Sequence, residues 1–383
     1  MASHNYSEKY MHRCLELAIQ GMGQVAPNPM VGALLVHDNL IISEGYHRSF
    51  GEAHAEVNAV RGVADKELLR HATLYVNLEP CSHHGKTPPC TDLILKNGIS
   101  RVVIGTPDPN PLVAGEGIKL LSENGVQIIQ GVLENECRDL NKRFFTWHIH
   151  KRPWIILKWA RSADGYIDLE RPANAPIGPN WITSKTARIL VHKWRSEEQA
   201  LLVGTNTVRK DNPRLNVRDW CGKDPLRLVI DRKLKLSRSY HIYDDSMETL
   251  VFTEGVPASH KTAKSIKCAK KKISQDKKKD PSNKAAENCL NSSEKTRSAE
   301  IIFNDTAEQQ ILEVLYREKI QSVIIEGGAY TLNRFIEKGL WDEARIFTGP
   351  AYFRKGVRSP EITGKLKERM MIDNSLLEIT YNS

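Results

Sequence analysis

The chain has 383 residues, of which 40% are hydrophobic and 26% are charged, and its formal net charge at pH 7 is +9. That length is enough for two domains with separate cores. No apolar run reaches the about 18 residues of a membrane span, and the first residues lack the basic and apolar regions of a signal peptide, so we expect a cytoplasmic protein without a membrane partner.

The seven cysteines show no spacing typical of a disulfide framework, and their odd number leaves at least one unpaired. Reduced thiols in a cytoplasmic protein fit this pattern best. Two of the cysteines belong to the metal motif described below. The other five are Cys14, Cys137, Cys221, Cys268 and Cys289.

In the first 150 residues, short apolar segments alternate with helical patterns. The helical patterns predict an amphipathic helix from Tyr10 to Gln20 that ends near Gly21, and further helices from Ala55 and over residues 90–96. The apolar segments predict strands at residues 31–36, 73–77 and 101–105. This alternation predicts an α/β fold, a three-layer sandwich with helices on both faces of a sheet.

Two short segments of this half supply metal ligands and an acid. His54 stands two residues before Glu56, and Cys81 follows Pro80 and precedes a second cysteine, Cys90. Three protein ligands leave the fourth tetrahedral position of a zinc ion open, as in catalytic sites. A His-x-Glu segment followed by Pro-Cys and a second cysteine is the signature of zinc nucleobase deaminases. The sequence therefore predicts zinc on His54, Cys81 and Cys90, with Glu56 as the proton shuttle.

Both parts of this motif fall where helices are predicted to begin. His54 and Glu56 open one helix, and Cys90 opens another, with Gly98 as its expected stop. The partial positive charge of a helix N-terminus favours thiolates and a metal-activated water.

The surroundings of the motif resemble the pyrimidine deaminases of riboflavin biosynthesis over residues 7–148. In that family the loop between the two cysteines is long, which accounts for the departure from the usual Pro-Cys-x-x-Cys spacing. The resemblance implies hydrolytic deamination of 2,5-diamino-6-(5-phosphoribosylamino)pyrimidin-4(3H)-one at C2, with Asn28 in contact with the substrate. It is carried by the segment from Glu79 to Cys90, Ala26-Pro27-Asn28-Pro29 and Val31-Gly32-Ala33 before it, and residues 108–115 after it.

A second series of elements follows a predicted helix at residues 134–147 and a break at Lys151-Arg152-Pro153. Helices are predicted from Ser184 to Arg195, over residues 307–318 and from Tyr330 onward. Strands are predicted at residues 154–160, 200–203, 226–231, 249–253, 301–303 and 322–326.

The last of these strands meets its helix at Glu326-Gly327-Gly328, where glycines would let a phosphate approach backbone N–H groups. No Gly-x-Gly-x-x-Gly segment occurs in the chain, so a Rossmann nucleotide site is not supported. The residues after Gly349 carry no recognisable landmark and receive no assignment.

This half resembles the reductase half of the same riboflavin enzymes, over about residues 152–350. The resemblance implies a dihydrofolate-reductase-like fold in which NADPH reduces the ribosyl side chain to a ribityl chain. The implied NADPH-binding residues are Ala160, Trp181, Thr207, Asp211 and Gly328. The segments that carry the resemblance are 157–160, Ser162-Ala163-Asp164-Gly165, Trp181-Ile182-Thr183, 203–208, Asp211-Asn212-Pro213-Arg214-Leu215 and Ile325-Glu326-Gly327-Gly328.

The same resemblance implies a substrate site made of Arg195, Leu215, Arg218 and Glu326. Two arginines suit a sugar phosphate because guanidinium pairs bidentately with phosphate oxygens. The family often has serine two residues before the tryptophan of the Trp-Ile-Thr segment, where this chain has Pro179. A side-chain contact to substrate at that position is therefore not implied.

Most of the positive charge lies between Lys261 and Arg297, where twelve basic residues stand against four acidic ones, a net charge of +8. This basic segment has few aromatic or branched residues, so we predict a solvated loop. A lysine-rich loop could hold an anionic partner such as RNA, but without aromatic residues to stack bases a surface insertion is the better interpretation. A nucleic-acid partner is accordingly not expected.

The sequence thus predicts a zinc deaminase domain at residues 1–148 and an NADPH-dependent reductase domain at 152–383, acting on a small phosphoribosyl pyrimidine and forming a homo-oligomer. One alternative is a zinc deaminase of another nucleobase or nucleotide, which has no reason to carry the second half. Another is an RNA-binding protein with structural zinc, which would need a fourth ligand, His83 or His84.

Overall fold

The computed structural model describes residues 2–83, 88–111, 113–172, 174–255, 265–267 and 295–382. The chain divides into two compact units, Met1–Trp154 with Lys319–Gln321, and Ile155–Glu318 with Ser322–Ser383. Within the described ranges, no helix combines the length and the apolar composition that crossing a membrane requires.

The first unit contains five strands and six α-helices among its described residues. They are α1 (Ala2–Ala18), β1 (Gly32–His37), β2 (Leu40–Tyr46), α2 (Ala55–Gly62), β3 (Thr73–Leu78), α3 (Cys90–Lys96), β4 (Arg101–Thr106), α4 (Glu116–Glu123), β5 (Gln127–Gln130), α5 (Glu134–Leu140) and α6 (Lys142–His150).

The five strands form one sheet in the order β2-β1-β3-β4-β5, in which β1 is antiparallel to both neighbours and β3, β4 and β5 are parallel. Successive side chains of a strand point to opposite faces. Leu35 of β1 therefore packs into a core with α2, α3 and α4, while Leu34 packs into a second core with α1 and α5. The predicted three-layer sandwich is confirmed.

A glycine in β2 allows α2 to lie close to the sheet. A Cβ atom added at Gly45 would stand 2.4 Å from the backbone nitrogen of Ala59 and 2.5 Å from the carbonyl oxygen of Ala55, both in α2. Any larger residue would push the helix away. The N-terminus of α2, which carries His54 and Glu56, is thereby held at the end of the sheet.

The second unit contains the remaining elements. They are β6 (Trp154–Arg161), β7 (Tyr166–Leu169), α7 (Lys185–Glu197), β8 (Ala200–Gly204), α8 (Thr205–Asp211), β9 (Leu226–Ile230), β10 (Thr249–Thr253), β11 (Ser265–Lys267), β12 (Thr296–Glu300), α9 (Ala307–Arg317), β13 (Ser322–Ile325), α10 (Ala329–Glu337), β14 (Glu343–Thr348), β15 (Gly356–Arg358), β16 (Lys365–Ile372) and β17 (Ser375–Tyr381).

Ten of these strands form a sheet in the order β11-β12-β10-β9-β8-β13-β6-β14-β17-β16, and β15 pairs with β7. The strands from β11 to β13 in this order run parallel, β14 is parallel to β6, and the last three strands pair antiparallel. In open α/β sheets ligands bind beyond the carboxyl ends of parallel strands. That edge carries Gly204, Asp231 and Glu326.

Several predictions of secondary structure were wrong in detail. The helix predicted at 134–147 is two helices that meet at Asn141, whose buried amide bonds both the N–H and the C=O of Met30. The strand predicted at 301–303 lies instead at Thr296–Glu300, where pairing with β10 compensates for a polar composition of low strand propensity. The unassigned region after Gly349 forms three strands.

The basic segment differs from the predicted loop at both ends. Ser265–Lys267 pairs with β12, and Thr296 and Arg297 belong to β12 itself. The remainder of the predicted loop, apart from Lys295, lies outside the described residues.

Candidate active sites

In the first unit, the three predicted zinc ligands lie together. The Nδ1 atom of His54 is 3.3 Å from Sγ of Cys90 and 3.6 Å from Sγ of Cys81, and the ligand atoms of all three lie within 4.8 Å of one another. One imidazole and two thiols at these separations fit the donor set and the size of a tetrahedral zinc site with one position left open.

The local fold fixes each ligand. His54 is the N-cap of α2, and Cys90 is the first residue of α3. Cys81 follows the end of β3, and its Sγ accepts a hydrogen bond of 3.4 Å from the backbone N–H of Cys90. The ligands therefore belong to two helix starts and a strand end that the sheet already holds together.

The two thiols are hydrogen-bonded to each other. A hydrogen bond from the Cys90 thiol lowers the pKa of Cys81 to about 4, and the same contact raises the pKa of Cys90. The contacts with Cys90 and with the His54 ring thus favour the thiolate form of Cys81, the form in which a cysteine binds zinc.

Glu56 is 4% exposed and lies in the first turn of α2, next to the ligand cluster. Burial raises the pKa of its carboxyl group, and the charge of Cys81 adds to the effect. A buried carboxyl group with a raised pKa can hold or release a proton near the cluster, and general acid–base chemistry requires such a group.

A fourth protein ligand is not found among the described residues. The cluster there has three members, and exposed His83 is not one of them, while His84 lies outside the described residues. An open site of this kind matches catalytic zinc and differs from the closed sites of structural zinc.

A second histidine that the sequence analysis missed stands beside the cluster. The ring of His47 meets that of His54 edge to face at 5.6 Å, and His47 is 2% exposed. Its Nδ1 is 3.1 Å from the carbonyl oxygen of Ala53, and its Nε2 is 3.1 Å from Nδ2 of Asn28. Donation from Nδ1 to Ala53 leaves Nε2 as the acceptor for Asn28. The predicted substrate residue Asn28 is therefore held near the metal ligands.

Glu79 fixes the loop that follows β4 through hydrogen bonds to its backbone. Its buried carboxylate accepts hydrogen bonds from the backbone N–H groups of Asp108, Gly115, Gly117 and Ile118 at 3.0 to 3.3 Å. Only Pro80 separates it from Cys81. Glu79 thus ties the loop after β4 to the strand end that presents a zinc ligand.

The second unit contains a cavity of 1280 Å³ at the carboxyl ends of its parallel strands. Typical small-molecule sites occupy roughly 300–1,000 Å³, so this cavity has room for a dinucleotide beside a second ligand. It is lined by all the residues predicted for the reductase site, Ala160, Trp181, Thr207, Asp211, Gly328, Arg195, Leu215, Arg218 and Glu326.

A buried ion-pair network forms one wall of the cavity. Arg195 pairs bidentately with Glu326 at 2.6 and 3.0 Å, and Nζ of Lys158 lies 3.9 Å from the same carboxylate. Although burial alone raises it, these two cations hold the pKa of Glu326 at about 2. Arg195 is therefore engaged with Glu326, and Arg218 is the freer of the two predicted phosphate-binding arginines.

Several cationic side chains surround Arg218 in the cavity. Burial lowers the pKa of this guanidinium, the charges of Arg195, Arg188 and Arg214 lower it further, and the nearby Asp219 opposes them. Leu215 is 2% exposed and has a φ of 58°, a conformation that bulky residues rarely adopt. Such backbone outliers concentrate at ligand sites.

The cofactor side of the cavity is built on β13 and α10. The backbone N–H of Gly328, the N-cap of α10, donates to Oγ1 of Thr207 at 3.0 Å. A Cβ at Gly327 would stand 2.7 Å from Cβ of Thr331, so only glycine lets α10 begin this close to the strand end. The helix N-terminus and the bare glycines suit a diphosphate.

Two other predicted cofactor residues, Trp181 and Asp211, have identified partners. The Trp181 side chain is 55% exposed, and the guanidinium of Arg188 lies 4.2 Å from its ring centroid. Asp211 pairs with Nη2 of Arg171 at 2.9 Å. Because Arg171 also bonds Asp168, it connects β7 to the end of α8.

The sequence analysis missed several residues of these sites, namely His47, Glu79 as a brace, Lys158, Arg188 and Arg214. None of them stands at a spacing that marks a site by itself. Glu79, Lys158 and Arg214 lie inside the segments that carried the resemblance, whereas His47 and Arg188 reach their sites only through the tertiary fold.

Two family models match the chain. The model described as the cytidine and deoxycytidylate deaminase zinc-binding region matches residues 4–106, and the model of the RibD C-terminal domain matches residues 153–375.

Relatives match nearly the whole length. The chain is 37% identical to the riboflavin biosynthesis protein RibD of Aquifex aeolicus, over 91% of this chain and 88% of that protein. It is 36% identical to the RibD of Synechocystis, over 95% and 89% respectively.

Solved structures show the same likeness. The diaminohydroxyphosphoribosylaminopyrimidine deaminase/5-amino-6-(5-phosphoribosylamino)uracil reductase of Thermotoga maritima superposes with a TM-score of 0.81 at 35% identity, covering 100% of both chains. A structure of RibD from Acinetobacter baumannii gives a TM-score of 0.82 at 28% identity, again over 100% of both.

Proposed function

The chain belongs to the RibD family of riboflavin biosynthesis proteins, and we propose from this premise which of its residues perform each of the family's two reactions. It is a bifunctional enzyme with a cytidine-deaminase-like zinc-binding domain and a RibD reductase domain. The observation that carries the residue assignment is the cluster of His54, Cys81 and Cys90 with Glu56 buried beside it.

In the deaminase reaction, His54, Cys81 and Cys90 hold the zinc ion. Zinc, when bound, supplies the polarisation of a water in the position that the three ligands leave open. A carboxylate oxygen of Glu56 accepts a proton from the attacking water and delivers it to the departing amino group, so that a C–O bond forms at C2 while the C–N bond breaks and ammonia leaves. Asn28, held by His47, binds the substrate.

The metal content of the purified chain tests this assignment. We expect about one zinc per chain, and an X-ray absorption spectrum with two sulfur neighbours and the remainder nitrogen or oxygen. The reason is that two thiols and one imidazole converge within 4.8 Å. Three or four sulfur neighbours, or a chain that purifies without zinc and takes up none, would contradict the ligand set.

In the reductase reaction, Ala160, Trp181, Thr207, Asp211 and Gly328 bind NADPH, which supplies the hydride when bound. Arg218, with Arg188 and Arg214 beside it, binds the phosphate of the substrate. Glu326 stays ionised against Arg195 and Lys158 and accepts hydrogen bonds from sugar hydroxyls. Leu215 lines the same cavity. The 1280 Å³ cavity that all these residues line supports the assignment.

We assign the deaminase domain to residues 1–148 and the reductase domain to 152–383, an assignment that the two compact units support. We also propose a homo-oligomer. Among the described residues, β16 is the outer strand of its sheet and exposes Leu366 and Met371, a surface suited to association. A cytoplasmic location, which free cysteines favour, completes the proposal.

A further inference from the structure

A buried histidine of α7 lines the reductase cavity and has no role in the reactions assigned above. His192 is 3% exposed and lies one helical turn before Arg195. A buried imidazole has two ring nitrogens, and burial is costly unless each of them finds a hydrogen-bond partner. His192 finds both partners in the segment that carries Arg218, the arginine to which we assign the substrate phosphate.

The two ring nitrogens contact consecutive residues. Nδ1 of His192 accepts a hydrogen bond of 3.4 Å from the backbone N–H of Arg218, and Nε2 lies 3.3 Å from Oδ2 of Asp219. Because Nδ1 accepts, the neutral ring carries its proton on Nε2 and donates it to the carboxylate. Burial, with the charges of Arg195 and Arg218, lowers the pKa of His192 to about 4, although Asp219 and Glu326 oppose these charges. The ring therefore keeps this form at neutral pH.

The residues on either side of Arg218 are also held against α7. Nη1 of Arg195 donates to the carbonyl oxygen of Asn216 at 3.2 Å. A Cβ atom added at Gly222 would stand 2.5 Å from Cβ of Ser196, so glycine lets the chain pass close to the helix. The backbone of Arg218 is thus fixed on both sides, while its side chain remains 43% exposed.

Asp219 is a potential competitor of the phosphate. Its Oδ2 atom lies 3.9 Å from Nε of Arg218, and the same oxygen lies 3.3 Å from Nε2 of His192. A carboxylate paired with the guanidinium would occupy donors that a phosphate needs and would repel its negative charge. The shorter contact is the one with His192. The histidine therefore engages the carboxylate and leaves the planar fork of Arg218 to the ligand.

We propose that His192 is a positioning residue of the reductase, which orients Arg218 toward the substrate phosphate and keeps the Asp219 carboxylate from pairing with it. The proposal rests on the phosphate role assigned to Arg218 above. His192 acts through these two neighbours and not on the reacting atoms. Its contribution therefore belongs to the binding of a phosphorylated substrate, and neither hydride transfer nor cofactor binding depends on it.

The test compares a substrate with and without its phosphate. KM and kcat of NADPH oxidation are measured on the full-length chain with 5-amino-6-(5-phosphoribosylamino)uracil and with its dephosphorylated form, and the Kd of NADP⁺ is measured by titration calorimetry. The variants are H192A, H192N and D219N. In H192N the amide oxygen can accept from the Arg218 backbone in place of Nδ1. The control is H12N, since His12 is an exposed histidine that does not line the cavity.

In H192A we expect the KM of the phosphorylated substrate to rise about 10-fold, the size of one or two lost hydrogen bonds. Its kcat, the KM of the dephosphorylated substrate and the Kd of NADP⁺ should stay unchanged. H192N should show a smaller rise of about 3-fold, because it keeps one of the two bonds. D219N should leave this KM unchanged or lower it, because no carboxylate then competes for Arg218. H12N should match the unaltered chain.

Equal losses with both substrates, or weaker binding of NADP⁺, would show that His192 merely supports the local fold and would overturn the proposal. Unchanged constants in H192A, or a raised KM in D219N, would overturn it as well. If H192A does not fold, H192N decides by the same comparison of the two substrates. An unaltered chain that does not distinguish the two substrates would instead count against the phosphate role proposed for Arg218.

Discussion

Replacing Glu56 with glutamine should leave zinc bound and slow deamination by at least about 100-fold, the lower range for removal of a general acid–base group. Glutamine keeps the size and hydrogen-bonding capacity of the buried side chain but cannot carry a proton between water and amine. Because Glu56 is not among the clustered ligand atoms, the metal content should not change. Ammonia release and zinc content, measured on the same preparation, check both parts.

The matched control for this variant is Glu67→Gln, since the Glu67 side chain is 77% exposed and pairs with Arg70 away from the cluster. It should deaminate at the normal rate. If Glu56→Gln also turned over near normally, Glu56 would have no part in the mechanism. If it lost its zinc, Glu56 would be a ligand or a support of the ligands.

Replacing Cys81 with serine should abolish stoichiometric zinc binding and deamination together. A serine hydroxyl is a much poorer zinc ligand than a thiolate, and the contacts of Cys81 favour its thiolate form. The affinity for zinc should fall beyond the roughly 10- to 100-fold that loss of an outer-shell partner costs. Metal analysis after dialysis and an ammonia assay measure the two losses.

The same variant also tests whether the two sites work separately. The reductase cavity is lined entirely by residues between Lys158 and Val357, so Cys81→Ser should still oxidise NADPH when given the deaminated substrate. The exposed Cys221 supplies the control substitution, Cys221→Ser, which should keep both activities. A well-folded Cys81→Ser protein without reductase activity would show that the sites depend on each other.

Much of the deaminase half could be predicted from the sequence because its signals are local. The apolar periods predicted strands at 73–77 and 101–105, each one residue shorter than the observed strand, and the helix beginning at Cys90 was predicted with its observed bounds. The metal motif needs few residues, and two of its ligands, His54 and Cys90, lie at helix starts that the sequence marks. His47 was not predicted because no sequence motif marks it. Its contacts with Ala53 and Asn28 form only in the folded chain.

The reductase half was less predictable because its contacts are distant in sequence. Arg195 and Glu326 are far apart in the chain, and no pattern reveals that they pair with each other before either meets a substrate. The strand at Thr296–Glu300 is polar and depends on pairing with β10. The strands after Gly349 alternate weakly, since most side chains of β16 are exposed. The residues of the reductase site were predicted from the resemblance to known reductases, because no local sequence pattern identifies them.

The most direct test of the account is one incubation of the purified full chain with 2,5-diamino-6-(5-phosphoribosylamino)pyrimidin-4(3H)-one and NADPH, in which ammonia and NADPH are followed together. The account predicts that ammonia appears first and that NADPH is then oxidised in equal amount, with no oxidation when zinc is removed beforehand. NADPH oxidation without ammonia, or ammonia release with no oxidation after it, would contradict the assignment of two consecutive reactions to these two sites.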